Sequence, residues 1–394
     1  MAIGTPFHPR TSALNASLDW RHWSGYFAAG RYQDFHQVEY AAIRNSVALI
    51  DVSPLFKYEL TGPGAERLVD RVITRDATKL RVGQVFYAPW CDERGKVLQE
   101  GTVMRLGPER FQWNAAEPIR RWLEINAGGL EVEIAERSAE LAALAVQGPL
   151  SRRLLAEVAG DAVARLRFFR LCESTIDGVP VVVSRTGYTG DLGYEVWLPA
   201  AAAPRLWDVL IAAGRPYGAI PCGLKAMDVA RIEAGFVLIG VDYVSADHAR
   251  IPDQLSSPYE IGLGWAVSHK KKTPYVGRAA LEQEKRHGSS WRLVGLEIDW
   301  QPLEQLYASA GLMPELPLEA WRTPVPVYHG RRQVGRATSG CWSTLLKKYV
   351  ALASVESASA GGPLEMEVTV DYARRRAPAR VVKLPFFRPP RMRA

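Results

Sequence analysis

Cysteine is scarce in this chain and widely scattered. The four thiols, Cys91, Cys172, Cys222 and Cys341, include no C-x-x-C pair, which argues against a zinc site and against a disulfide framework, so no metal is expected. Long apolar runs are missing too. Nothing approaches the roughly 18 residues of a membrane span, and MAIGTPFHPR at the start lacks the apolar centre of a signal peptide. A soluble, cytoplasmic protein without a membrane partner is the expectation. There is no internal repeat, no low-complexity tract and no basic run interleaved with stacking aromatics. Nucleic acid is therefore not an expected partner, although the net charge is +7 and the pI near 9.2. Much of that excess is local, in Lys270 to Lys272, Arg374 to Arg376 and the final FFRPPRMRA, and reads as solvated loop and tail charge.

What is present is a globular composition, 47% hydrophobic and 23% charged, in 394 residues, long enough for two or three domains. Trp20, Trp23 and Tyr26 precede a helical pattern over Gln33 to Asn45, with apolar Phe35, Val38, Ala42 and Ile43 on one face. Ala48 to Ile50 and Lys57 to Leu60 read as strands, as do Gln84 to Tyr87, Val97 to Arg105 and Phe111 to Asn114, with a turn at Asp92 to Gly95. Helices follow Ala115, span Ser151 to Val158 and Leu206 to Ala213, and open after Pro221, where Gly235 supplies a stop. Hairpin spacing rather than regular βαβ alternation makes the class α+β. From Leu293 onward five strand-like runs predict a C-terminal antiparallel barrel or sandwich.

The stretch VVVSRTGYTGDLGYEVWLP, Val181 to Pro199, is the most informative. It reads as strand, Gly-rich turn and strand. A phosphate loop needs a helix after its glycines, and YEVWL is strand-like. Tyr188 falls at the turn. Glu195 has the opposite parity to Tyr194, Val196 and Leu198, so its carboxylate points away from their apolar face. Pattern alone leaves open whether it is merely solvated or binds something.

RTGYTGDLGYE resembles the hallmark of the T-protein family, the folate-dependent aminomethyltransferases of glycine cleavage and their one-carbon relatives. Further matches stand in the right order along nearly the whole chain: EYAAIRNSVALIDVS, QGP at Gln147, CGLKAMDVARIEAG, SPYEIGLGW, VGRAALEQEK, TSGCWS and YVALASV. The resemblance implies a three-domain cloverleaf around a central opening. Residues 1–51 and 141–272 would form a discontinuous folate-binding domain, 52–140 an α+β insert, and 282–394 the barrel.

It also implies roles. Glu195 would accept the donor edge of a reduced pterin in bidentate fashion. Tyr87, Tyr188, Phe168 and Phe169 would supply ring contacts, the last two standing where relatives often carry tyrosine. Asn114 and Trp265 would line the opening. Glu100 matches the catalytic aspartate of the family pattern and lengthens its arm by one methylene; it acts through an adjusted backbone, serves a different substrate, or is an idle strand carboxylate. Arg231 would meet the folate carboxylates, or hold Glu195 or Asp228. Met227 stands where the family has arginine, with Lys270 to Lys272 as substitute cations for a polyglutamate tail. Trp300 to Trp321 is an apolar, Pro-containing insert that would shape a substrate mouth. The implied activity is transfer of an aminomethyl or methyl carbon to N5 of tetrahydrofolate from a lipoyl carrier protein or a small methylated donor. The alternatives are a folate-dependent demethylase and a folate-binding protein without transferase activity.

Overall fold

β-Branched VPVVVS and the run GYEVWLP form antiparallel neighbours, Val179–Ser184 and Gly193–Pro199, as alternation and glycine punctuation require. A computed structural model describes residues 1–393. In it these two strands sit inside a six-stranded sheet ordered Leu171–Ile176, Val179–Ser184, Gly193–Pro199, Leu141–Gln147, Val47–Asp51, Ala219–Pro221. Only the last pair is parallel. The sheet is thus assembled from chain on both sides of a long excursion. The excursion builds a sheet of its own, ordered Gln84–Cys91, Val97–Gly107, Arg110–Ala115, Phe56–Thr61, Glu133–Glu136. Beyond it, six strands between Trp291 and Val382 close into an antiparallel barrel, and a small three-stranded sheet forms near the N-terminus.

The three larger units meet at one apolar centre. Ile50, Ala145 and Trp197 of the six-stranded sheet pack there with Val85 and Met104 of the excursion and with Cys341 and Leu352 of the barrel. Close packing at this junction makes it a rigid feature.

Both crossings between the first two sheets are held by one side chain. Lys57, fully buried, donates from Nζ to the carbonyls of Ser53 (2.6 Å) and Leu55 (2.7 Å) on the outgoing crossing and of Ser138 (3.3 Å) on the return. Burial pulls its pKa down to about 8, against the opposing pull of Asp51.

Several expectations need correction. The helix expected over Gln33 to Asn45 spans His36–Asn45, and Phe35 and Val38 are exposed rather than core. Its buried face is largely polar. Glu39 accepts the backbone N–H groups of Tyr32, Gln33 and Gly223, and Arg44 bridges Glu233 (2.6 Å) and Asp191 (3.3 Å). The apolar period finds the helix through Ala42 and Ile43, which are buried, but carries no sign of the hydrogen-bonded groups beside them. Lys271 is not a solvated cation; it is buried, pairs with Asp70 (3.0 Å) and caps the carbonyls of Ile73 and Arg75. It therefore holds no substrate tail. Arg374 to Arg376 belong to the sixth barrel strand, Ala373–Val382, where Arg374 reaches Glu367 (3.6 Å) and Arg376 reaches Glu365 (3.9 Å) diagonally across the ladder. The insert contains a helix, Trp300–Ala308, whose Leu303 and Tyr307 pack into the barrel core. Glu319, at its far end, ties it to Arg21 and Lys225.

Candidate active site

Strand parity gathers the first set of groups. Tyr87 pairs with Thr102, Pro89 with Glu100, and Thr102 with Asn114, so Tyr87, Glu100, Thr102 and Asn114 share one face of the five-stranded sheet. Asn114 is buried, donating to Thr102 Oγ1 (3.0 Å) and accepting from Gln112 (2.9 Å). Glu100 keeps partial exposure and receives the hydroxyls of Tyr243 (3.4 Å) and Tyr87. Burial raises its pKa from 4.5 to about 7, and the two phenol bonds only partly offset that rise. A carboxyl in this state exchanges a proton near neutral pH. The phenols of Tyr87 and Tyr243 titrate well above their usual range because they too are enclosed, so both remain donors.

The second carboxyl comes from the six-stranded sheet. Glu195 is paired with Ser184 and Ala145 and lies on the face of Trp197, opposite Tyr194 and Val196. Parity is as expected, but both faces of this sheet are packed, so Glu195 looks into the junction rather than into bulk water. It accepts from Thr186 Oγ1 at 2.5 Å, and Ser184 bonds Thr186 in turn (2.7 Å). Burial raises its pKa against the hydrogen bonds of Thr186 and Ser184. One carboxylate edge thus has protein partners.

The Gly-rich turn between these strands is locked from several sides. The buried side chain of Gln147 lies across Gly187 and Gly193, where any Cβ would overlap its amide group. It donates to the carbonyls of Thr186 (3.3 Å) and Tyr194 (3.0 Å) and accepts from Thr189 (2.8 Å). Asp191 is clasped by Arg44 and by Arg391 (2.6 Å), which returns from beyond the barrel. Tyr188 gives its proton to the carbonyl of Val237 (2.5 Å) and stacks on Phe236 with centroids 5.6 Å apart. It offers a ring, not a hydroxyl, to anything beside it.

The remaining expected residues are placed as follows. Phe168 and Phe169 are half-buried and meet edge to face at 4.7 Å. Phe169 has a φ of 58° and is bonded on both sides, its N–H to Arg185 and its carbonyl to Val85. Left-handed backbone at an aromatic residue is costly and is held here by two sheets. Trp265 is 64% exposed and stacks on Tyr87 at 6.3 Å and 19°. Arg231 is buried in ion pairs with Asp228 (2.8 Å) and Asp242 (2.5 Å). Arg322 binds the other oxygen of Asp228 (2.6 Å), while Thr338 and Ser339 of the barrel bond Asp242. Arg231 therefore joins the helix Leu224–Glu233 to the barrel, the salt-bridge alternative considered for it.

Tyr243, Thr186, Ser184 and Gln147 were not singled out by sequence. Gln147 stands in the QGP motif, and Thr186 and Ser184 in the stretch Val181 to Pro199, whereas Tyr243 lies in none of the motifs. A cavity of about 820 Å³ lies between the two sheets and is lined by Tyr58, Leu106, Gln112, Val182 and Trp197 among others. Its wall does not include Glu100, Glu195, Tyr87 or Tyr188, but Gln112 ties it to Asn114. Among the described residues no cluster of His, Cys, Asp and Glu could hold a metal, and no helix is long and apolar enough to cross a membrane.

The scaffold is of the α+β class, two sheets and a closed antiparallel barrel meeting at one apolar centre, with two enclosed carboxyls on the sheets. Comparison with known proteins narrows the class. The GCVT N-terminal domain matches residues 7–271 and the glycine cleavage T-protein C-terminal barrel domain matches residues 292–388, so the chain belongs to the glycine cleavage T-protein family. It is 38% identical over 367 residues, 90% of each chain, to an aminomethyltransferase of Symbiobacterium thermophilum. It is 34% identical to a trimethylamine-oxide aldolase of Ruegeria pomeroyi, a match that covers all of this chain and 48% of that one. The crystal structure of glycine cleavage system aminomethyltransferase T from Bartonella henselae has the same fold, with a TM-score of 0.83 at 24% identity over 98% of this chain and 99% of that one.

Proposed function

We propose that the protein is a tetrahydrofolate-dependent one-carbon transferase, moving an aminomethyl or methyl carbon from a donor to folate N5. What supports this reading is the family match over residues 7–271 and 292–388, together with two enclosed carboxyls, Glu195 beside Thr186 on the six-stranded sheet and Glu100 beside Tyr87 and Tyr243 on the five-stranded one. On this reading, Glu195 accepts the paired N–H donors of the pterin, its position fixed by Thr186 and the locked glycine turn. Tyr188, Phe168 and Phe169 provide ring contacts, with Asn114 and Trp265 at the periphery, and Arg231 acts as a positioning residue for the helix beside Tyr188. Residues 1–51 with 141–272, 52–140 and 282–394 act as the three domains that bring these groups together.

The chemistry forms a bond between N5 and the donor carbon as the bond from that carbon to its leaving sulfur or nitrogen breaks. Holding the two reactants together supplies most of the rate. Glu100 balances the cationic character of the one-carbon unit when ionised and passes a proton when neutral, a dual capacity its pKa of about 7 permits near neutral pH. The donor is either an aminomethyl group on a lipoyl carrier protein or a small methylated amine. The likeness to a trimethylamine-oxide aldolase along the whole chain favours keeping the demethylase reading in play.

The test is calorimetric titration of tetrahydrofolate into the wild type and Glu195→Gln, followed by single-turnover assays with aminomethyl-lipoyl carrier and with methylated amines. Binding that Glu195→Gln abolishes supports the pterin site. Binding without turnover of any donor would instead identify a folate-binding protein without transferase activity.

A further inference from the structure

Just outside the aromatic wall lies a second, smaller pocket of about 210 Å³, lined by Arg75, Asp76, Lys79, Phe86, Trp265 and Ser268 among others. Arg75 is its unusual member. Its guanidinium carbon sits 3.7 Å over the ring centre of Phe86 and 5.7 Å from that of Trp265, and Nη1 donates to the carbonyl of Tyr87 (3.2 Å). No carboxylate among the described residues pairs with it, and burial alone pulls its pKa down. The one acidic neighbour, Asp76, is already taken by Lys79 (2.9 Å) and Thr78 (2.5 Å). A half-buried cation between two rings, with unused donors and an exposed Trp265, is a poor structural end in itself. Leaving it unpaired forgoes the charge-assisted bonds that guanidinium groups form best.

One residue, Tyr87, links the lining of this pocket to Glu100. Tyr87 bonds Glu100 with its hydroxyl, stacks on Trp265 with its ring, and accepts from Arg75 at its backbone. We propose that this pocket receives a carboxylate of the small molecule that occupies the active site, with Arg75 as its bidentate counter-ion and Phe86 and Trp265 as its walls. The inference rests on the one-carbon transferase reading. The carboxylate comes from one of two sources: the glutamyl end of the folate, or a methylated amino-acid donor.

The experiment compares the wild type with Arg75→Met, which keeps the stem over Phe86 but removes the charge. Tetrahydrofolate, tetrahydropteroate, which lacks the glutamate, and 4-aminobenzoyl-L-glutamate are titrated into both, and steady-state kinetics are run with N,N-dimethylglycine as donor. If the folate supplies the carboxylate, Arg75→Met weakens tetrahydrofolate and 4-aminobenzoyl-L-glutamate by roughly 10- to 100-fold and leaves tetrahydropteroate unchanged. If the donor supplies it, all three affinities hold, and KM for N,N-dimethylglycine rises by that factor at constant kcat. Arg75→Lys should recover part of either effect. Identical values for the wild type and Arg75→Met with every probe overturn the proposal. The folate reading fails separately: 4-aminobenzoyl-L-glutamate carries no pterin, so its Arg75-dependent binding without any response to tetrahydropteroate would refute pterin recognition and leave the carboxylate pocket standing.

Discussion

Replacing Glu100 by glutamine should stabilise the protein, and only above mildly acidic pH. The folded pKa of Glu100 is about 7, against an ordinary 4.5. Between those values the folded chain holds a proton that the unfolded chain has released, so stability falls as pH rises through that window and is lowest above it. The full rise corresponds to roughly 3 kcal/mol. Residual solvent at the carboxyl reduces the expected gain to roughly 1–2 kcal/mol between pH 5 and 8. With an unfolding entropy near 2.1 cal/mol/K per residue, a chain of this length should show a rise in Tm of about 1 to 2.5 °C for Glu100→Gln at pH 8, and much less at pH 5. Paired melts of the two proteins in matched buffers measure this. A Tm offset that is the same at both pH values, or negative at pH 8, would refute the enclosed, proton-holding state of Glu100 and with it the role assigned to this group.

If that state is used in turnover, kcat/KM for the wild type should show a limb near pH 7 that disappears in Glu100→Gln, read from a pH–rate profile. Gly193→Ala should cost roughly 2–3 kcal/mol, because the new methyl displaces a buried Gln147 amide from its hydrogen bonds; urea unfolding measures the loss, and titration should show weaker tetrahydrofolate binding. Arg44→Met leaves Glu233 and Asp191 facing one another's former partner in a buried site, and a drop of roughly 3–5 kcal/mol in chemical denaturation is expected. Lys57→Met strips one buried and two half-buried carbonyls of their donor and should destabilise by roughly 3 kcal/mol, with protease nicking near Ser53 and Ser138 as a second readout.

The sheets were legible where alternation and turn chemistry agreed, as at Val179–Ser184 and Gly193–Pro199, and the barrel was legible as a run of strands. What stayed hidden has physical causes. Ala373–Val382 reads as a basic tail because its arginines face glutamates on a neighbouring strand, a pairing no single segment displays. In His36–Asn45 the apolar period located Ala42 and Ile43, which are buried, but not His36, Glu39 and Arg44, which are buried through hydrogen bonds, while Phe35 and Val38 stay exposed. Glu195 and Glu100 were reached through parity and family resemblance. Tyr243, 143 residues from Glu100 in the chain, had no local signal at all. Arg231 carried the right alternative in its spacing: Asp228 lies three residues before it on the same helix face.

The clamp formed by Lys57 has a consequence for how the chain can be cut and rejoined. Since one nitrogen reaches Ser53 on the way out and Ser138 on the way back, the two crossings are already neighbours. The five-stranded piece therefore plugs into its host like a cassette with both terminals at a single socket. Swapping that cassette between relatives should need no new linker, and it would carry Glu100, Tyr87 and Arg75 into a host that keeps Glu195. The two enclosed carboxyls, Glu100 in the cassette and Glu195 in the host, would then be separately exchangeable.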